Sequence, residues 1–383
     1  MLVSEVIAMK LLRVTASHFK NACDHFSIDL LANSRKTAED KEYELQKIAD
    51  GLYTQNTMAI VGKNASGKTT AVDLLDCCYS ILGDFSLENR HYNYDGIRLE
   101  ITFYHEGYIY RYTTGLSSGS TLSSRACFVD QQLLRKKYRK SNVNSIYDDD
   151  GFKPVPNIRE LPEDTSIVFF VLKKKETRAM YFGCDGEGVD TYQRAFRALK
   201  QYGITTETLS SILEIFDNNI AGLEMVDDHN YRLTYRHDAR QQLVSDKELV
   251  YLLSSGTTKG LLLYTLMAAS LRNGFDLLID EVENHFHKTL VENMLSLYKD
   301  KAVNRHNASL IFTTHYCEVL DLFSRQDSIW ISTAGEQVSL RNMYEDFNVR
   351  SELLKSRQFY SNAFQTAVNY EDLMRLKKEL MKP

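Results

Sequence analysis

Three groups of residues have the types and spacing to handle a phosphate chain. The first is "GKNASGKT", Gly62 to Thr69, which fits the spacing GxxxxGK[ST] at every fixed position. "MAIV" before it reads as a short apolar strand, and "TAVDLLDCCYSIL" after it has helical apolar spacing. Glycines let a backbone wrap round a phosphate without Cβ clashes. The stretch Gly62, Lys63, Asn64, Ala65, Ser66, Gly67, Lys68, Thr69 and Thr70 would aim its amides, and the helix N-terminus, at the anion. Lys68 is placed for the β- and γ-phosphates, and the Thr69 hydroxyl for Mg²⁺. Cys77 and Cys78 read as packed helix residues.

The second group is "FDLLIDEVENHFH", Phe275 to His287. "FDLLI" is a buried strand that delivers Asp280 and Glu281 at its end. A phosphate-loop enzyme needs an acid there for Mg²⁺, and Asp280 fits. Hydrolysis also needs a group that orients or deprotonates water, and Glu281 fits. Glu283 either supports Glu281 or faces solvent. His285 and His287 stand two apart, poor spacing for a metal pair, and read as interface or packing residues.

The third group is "SLIFTTHYCEVLD", Ser309 to Asp321. Here "SLIF" is another buried strand with "TTH" at its carboxyl end. Ligands of open α/β sheets bind beyond those ends, so Thr314 and His315 are placed to sense a terminal phosphate or an attacking water. "SIWIST", Ser328 to Thr333, supplies a further strand.

A fourth stretch, "LLSSGTTKG", Leu252 to Gly260, has two readings. Ser254 or Ser255 can cap the apolar helix "KGLLLYTLMAASLRNG", which closes at Gly274. The same helix N-terminus also exposes amides to an anion.

The order of these stretches resembles the ATP-binding heads of the ABC and SMC superfamily. Walker A, signature, Walker B, D-loop and switch histidine are matched in turn by "GKNASGKT", "SSGTTKG", "LLIDE", "ENHFH" and "TTH". The resemblance implies ATP and Mg²⁺ as ligands. It also implies that Ser255 and Gly256 bind the γ-phosphate of nucleotide held by the opposite subunit, with Lys259 nearby. Thr257–Thr258 replace the usual glycine–glutamine, which suits SMC-like relatives better than transporters.

"DEVENHFH" is similar to the "DEIEN-small-LH" pattern of the AAA15/AAA21 group of ABC-type ATPases. That group includes the OLD family and the ATPase subunits of two-gene phage-defence systems such as AbiL and PARIS. "KLLRVTASHFKNACDHFSIDL", "YHEGYIYRYTTGL" and "NVRSELLKS" resemble the same group. The implied function is an ATP-driven switch or scaffold. Two heads of a homo-oligomer sandwich ATP and control a separately encoded nuclease of the TOPRIM type, with a nucleic acid or a phage protein as trigger. The alternative is a compact clamp of the RecF type acting directly on DNA. A transporter ATPase would need a membrane partner. A small-molecule kinase would leave the signature stretch and His315 unexplained.

The strands and helices around these groups make an α/β chain, and the resemblance implies an ABC-type P-loop ATPase head with a mainly parallel central sheet. An N-terminal antiparallel β subdomain and an inserted, partly helical subdomain complete it. The head is expected at 1–134 and 220–345, the insertion at 135–219, and a C-terminal segment at 346–383. The Q-loop position falls to Gln131 or Gln132 in "FVDQQLL", with Gln131 taken as a further Mg²⁺ ligand. "RKKYRK" and "KKKETR" read as solvated charge or as a patch for nucleic acid or a partner. "TTETLSSILEIFDNNIAGL" reads as a helix, and "LEMVDDHNYRLTYRH" as a hairpin turning at Asp227 to Asn230.

Composition sets the outer bounds. The 383 residues are 43% hydrophobic and 25% charged, as in ordinary soluble proteins. The net charge of −5 gives no global field toward nucleic acid. Six cysteines without metal-ligand spacing fit a reducing cytoplasm. No secretory signal is read at "MLVSEVIAMKLLRV", where Met9 offers an alternative start. No window approaches about 18 clean apolar residues, so no membrane span is expected.

Overall fold

The computed structural model describes residues 9–88, 93–118, 125–183, 189–237, 240–284, 286–347, 354–360, 364 and 370–381. The central sheet has the order β10-β14-β15-β5-β16-β17. Its strands are β10 (Ala179–Phe182), β14 (Asp276–Ile279), β15 (Leu310–Thr314), β5 (Thr57–Val61), β16 (Ile329–Ala334) and β17 (Val338–Asn342). All neighbours run parallel except β16 and β17. Every residue of β5, β14 and β15 is buried, as expected of parallel strands covered on both faces.

Alternate residues of these strands feed two different cores. Met58, Ile60, Leu278 and Ile311 join the core built on helix α1 (Lys68–Asp84) and a second sheet. Ala59, Val61, Leu277, Ile279, Leu310 and Phe312 join the core on the opposite face. That core is built on α6 (Ser255–Asn273), α7 (Lys288–Lys299) and two helices described below. The central sheet is therefore the middle layer, and it fixes the loop after β5 between two packed faces.

The second sheet is antiparallel, with order β2-β1-β6-β7-β8-β9. It comprises β1 (Lys10–Ser17), β2 (Phe26–Asp29), β6 (Arg98–His105), β7 (Tyr108–Ser118), β8 (Ala126–Lys137) and β9 (Lys153–Pro154). A small hairpin, β3 (Leu45–Ala49) with β4 (Leu52–Gln55), lies beside it in sequence, and α2 (Phe169–Leu172) is a single turn. α3 (Val189–Tyr202) and α4 (Thr206–Phe216) pack on α6. They are followed by the meander β11 (Ile220–Met225), β12 (Asn230–Tyr235) and β13 (Gln241–Ser245), and by α5 (Asp246–Leu252). α8 (Lys355–Tyr360) and α9 (Tyr370–Leu380) close the chain.

The α/β architecture expected from sequence is the one observed, with its mainly parallel sheet, its antiparallel β subdomain and its partly helical subdomain. The boundaries of the insertion differ. β8 carries on through Arg135, Lys136 and Lys137, which pair with Tyr110, Ile109 and Tyr108. Within 135–219, β10 is an edge strand of the central sheet, in parallel register with β14. The helical reading of 205–223 also divides, into α4 and β11 with Asp217 between them. The hairpin turn is where its sequence put it: Asp227 accepts from the backbone N–H groups of His229 and Asn230.

Helix α6 ends at Gly274 with φ +79, its N–H bonded to Ser270 O. A Cβ there would lie 2.6 Å from His306 O. Gly274→Ala should therefore cost at least about 1–2 kcal/mol, from the left-handed backbone alone. Urea unfolding should show a lower midpoint at unchanged slope, and an unchanged midpoint would contradict this packing.

Candidate nucleotide-binding site

The loop after β5 is shaped by two glycines that have no room for a side chain. A Cβ on Gly62 would lie 2.3 Å from Ser66 Oγ and 2.5 Å from Ser332 O. Gly67 has φ +90, and a Cβ there would meet Val338 at 2.3 Å. Ala65 also has positive φ, at 58°, on the exposed rim with Asn64. Ser66 is fully buried, and Ser332 Oγ donates to its carbonyl at 2.7 Å. Lys63 is half-buried, and Thr70 is buried in the first turn of α1.

Lys68 is only 4% exposed. Its ammonium donates to Gly62 O at 3.2 Å and Lys63 O at 3.1 Å, and lies 3.2 Å from His315 Nδ1. Burial pushes its pKa below the ordinary lysine value, while the carboxylates of Glu283, Glu281 and Asp280 oppose that shift. An anion seated in the loop would favour the charged form further.

The acids stand beside this loop because β14, β15 and β5 are adjacent and parallel. Thr69 Oγ1 donates to Asp280 Oδ2 at 2.8 Å. Thr313 Oγ1 donates to Asp280 Oδ1 at 2.6 Å and accepts from the Glu281 N–H at 2.7 Å. Glu281 has φ +50, an uncommon backbone for a residue with a side chain. Its carboxylate accepts from Asn284 Nδ2 and lies 3.5 Å from His315 Nε2. His315 Nδ1 is also 3.1 Å from Gly62 O, so the ring touches both the loop and Glu281. Lys68, Thr69, Asp280, Glu281 and His315 are thus one cluster at the carboxyl ends of three strands.

Several residues sit differently from their sequence reading. Glu283 does not face solvent. Its side chain is 6% exposed and accepts from the His315 backbone N–H, which anchors the turn after β15. Thr314 is buried and caps Tyr316 N–H at 2.9 Å, while Thr313 makes the contacts to both acids. Asn284 and Thr313 are site residues that the motif reading passed over. The doubled threonine before His315 was visible, but only the strand pleat decides which one faces Asp280. His287 is an exposed residue before α7, and His285 lies outside the described residues.

Gln131 is not brought to the cluster. It lies within β8 of the antiparallel sheet, and its carbonyl oxygen accepts from Tyr112 Oη at 2.7 Å and the Ile167 N–H at 2.9 Å. Its amide donates to Thr165 O at 3.2 Å. β14 runs parallel between β10 and β15, and residues 184–188, which follow β10, lie outside those described. The basic run at 135–140 is likewise less exposed than it reads. Lys136 is 6% exposed and donates to Ser145 O and Asp148 O, and Arg135 stacks on Tyr108.

At the start of α6 the capping and anion readings separate by residue. Ser254 is the cap, accepting from the Thr257 N–H at 3.0 Å. Thr257 and Thr258 are buried, and Thr258 Oγ1 donates to Ser254 O at 3.0 Å and lies 2.8 Å from Tyr192 Oη. Ser255 and Gly256 are exposed, and a Cβ on Gly256 would meet Ser254 Oγ no closer than 3.8 Å.

The sequence matches no family model and no curated protein. Among solved structures it is similar to an SMC head bound to the C-winged helix domain of ScpA. The TM-score is 0.45 and identity 11%, over 87% of this chain and 98% of that one. It is also similar to the recombination mediator protein RecF with ATP. There the TM-score is 0.40 and identity 12%, over 89% of this chain and all of that one. No helix among the described residues is long and apolar enough to cross a membrane.

Gln131→Leu separates a structural glutamine from a metal ligand. Leaving Tyr112 Oη and the Ile167 N–H unpaired should lower unfolding stability by about 1–3 kcal/mol. Affinity for Mg²⁺-nucleotide should stay as in the unaltered protein. Unchanged stability with weakened Mg²⁺-nucleotide binding would return Gln131 to the metal.

Proposed function

We propose that the chain binds ATP with Mg²⁺ and hydrolyses it, as a switch whose closed state joins two heads. The observation that carries this reading is the cluster itself. A phosphate-loop lysine and threonine, an acid bonded to that threonine, a second acid and a histidine converge where parallel strands end. The loop can turn tightly at Gly62 and Gly67, where packing leaves no room for a Cβ, and such a turn presents backbone N–H groups to an anion.

Each residue has a role set by its atoms. Lys68 Nζ exchanges its loop carbonyls for phosphate oxygens. Thr69 and Asp280, already paired, would hold Mg²⁺, which when bound neutralises charge on the phosphates. Glu281 orients and deprotonates water, and His315 beside it senses the terminal phosphate. Ser255, Gly256 and the first amides of α6 bind the phosphate of nucleotide held by another head.

By its sequence resemblance, the switch acts in the cytoplasm on a separately encoded TOPRIM-type nuclease in anti-phage defence. A clamp acting on DNA directly would have to draw on the exposed Lys137, Arg139 and Lys140, since Lys136 and Arg135 are committed to contacts within the chain.

Lys68→Ala should abolish nucleotide binding in equilibrium titrations while circular dichroism stays unchanged. Normal ATP binding and hydrolysis by this variant would remove the site assignment. Glu281→Gln should bind ATP and hydrolyse it about 10²–10⁴-fold more slowly. In sedimentation it should accumulate as an ATP-dependent dimer or larger assembly. Adding Ser255→Arg places a bulky cation at the proposed contact and should remove that association. A folded double variant that still closes with ATP would remove Ser255 from the nucleotide site.

A further inference from the structure

The register between β14 and β15 ends at Ile279 and Phe312. Beyond that point the two chains run on into Asp280–Glu281 and Thr313–His315, and side chains take over the bonds between them. The Glu281 N–H donates to Thr313 Oγ1 at 2.7 Å. The His315 N–H donates to Glu283 Oε1. The two bonds run in opposite senses. Thr313 stands two residues before His315 and holds Glu281, while Glu283 stands two residues after Glu281 and holds His315.

The groups that make these bonds are specific in chemistry. Thr313 is fully buried, and its hydroxyl gives its one proton to Asp280 Oδ1 at 2.6 Å. It can therefore donate to one acid and accept from the backbone of the next, which a valine of the same shape cannot do. Glu281 has φ +50, a backbone that persists only where the surroundings over-determine it. The Glu283 side chain is 6% exposed, and its Oε2 is buried with no hydrogen-bond partner. Burying a carboxylate with an unmatched oxygen is unfavourable, so anchoring a turn does not by itself account for it. Its Oε1 also faces the ring of the histidine it holds: His315 Nε2 lies 3.9 Å from Glu283 Oε1 and 3.5 Å from Glu281 Oε1.

We propose that Thr313 and Glu283 are positioning residues that form a reciprocal clamp, each strand end holding the backbone of the functional residue on the other. The clamp fixes Glu281 in its left-handed backbone and fixes the His315 ring against the Glu281 carboxylate. A displacement of about 1 Å at a reacting group costs about 10²-fold in rate, so such a clamp acts on turnover more than on affinity. The clamp is a property of the free chain. Its effect on turnover rests on the ATPase reading given above.

The test has two readouts on the full chain. The first is amide hydrogen exchange at single-residue resolution without nucleotide. The Glu281 and His315 amides should be protected. Thr313→Val should speed exchange at Glu281, and Glu283→Met at His315, each by about tenfold. Thr313→Ser and Glu283→Gln keep an acceptor and should leave both amides slow. The second readout is steady-state ATP hydrolysis. Thr313→Val and Glu283→Met should lower kcat about 10²-fold with far less change in KM, because Lys68, Thr69 and Asp280 remain. The serine and glutamine variants should restore most of that loss. Unprotected Glu281 and His315 amides in the unaltered protein overturn the clamp. A folded Glu283→Met that turns over normally, or conservative variants as impaired as the others, overturn the positioning role. Protected amides in a chain that hydrolyses no ATP would instead remove the ATPase reading, and the effect on turnover with it. If Thr313→Val fails to fold, the two Glu283 variants decide.

Discussion

A buried carboxylate must be matched by donors, and the site is organised around one that is. Asp280 is 6% exposed, and each of its oxygens accepts from a threonine, Thr69 on α1 and Thr313 on β15. Removing either donor would leave an under-satisfied anion in a low-dielectric setting, which is strongly unfavourable. The pairing therefore ties the phosphate-loop helix, the acid strand and the histidine strand into one unit. It is possible only because β14, β15 and β5 are neighbours in parallel register. At the other end of the same strands Asp276 plays a similar part, joining Lys10 of β1, Tyr79 of α1 and Ser309. The elements that meet at the site are thus pinned at both ends by buried charge.

The start of α6 shows how one short stretch serves packing and chemistry together. Ser254, Thr257 and Thr258 satisfy the helix terminus and bind it to Tyr192 of α3. Thr257 and Thr258 are thereby committed to the helix terminus and its packing. Ser255 and Gly256 take no share in that cap and face outward. A site made between two chains needs this division, because the cap must hold while the outward groups remain available.

Legibility in the sequence followed locality. The phosphate loop was readable because its glycines, lysine and threonine act within eight consecutive positions. The acid and histidine strands were readable because strands buried on both faces are unbroken apolar runs. β10 was not, since "AMYF" is a four-residue edge strand whose place depends on pairing with a segment almost a hundred positions later. Gln131 was misplaced for a related reason: nothing local says that β8 belongs to the antiparallel sheet and that Tyr112 and Ile167 occupy its amide. The basic run was read by charge alone. The strand pleat and the turn at 145–148 bury Lys136 within it. Glu283 and Thr313 take their roles from His315 and Asp280, which the fold, not the local sequence, brings beside them.

In the proposed switch each nucleotide site is completed by a second copy of the chain. Mixing two inactive variants tests this. Lys68→Ala lacks a working phosphate loop but keeps an intact α6 terminus, and Ser255→Arg has the reverse defect. If sites form across a two-fold dimer, random mixing of equal amounts should rebuild one complete site in each mixed dimer. ATP hydrolysis should then return to about a quarter of the unaltered rate. A mixture as inactive as its components, or a Ser255→Arg variant that hydrolyses ATP normally on its own, would contradict the composite site.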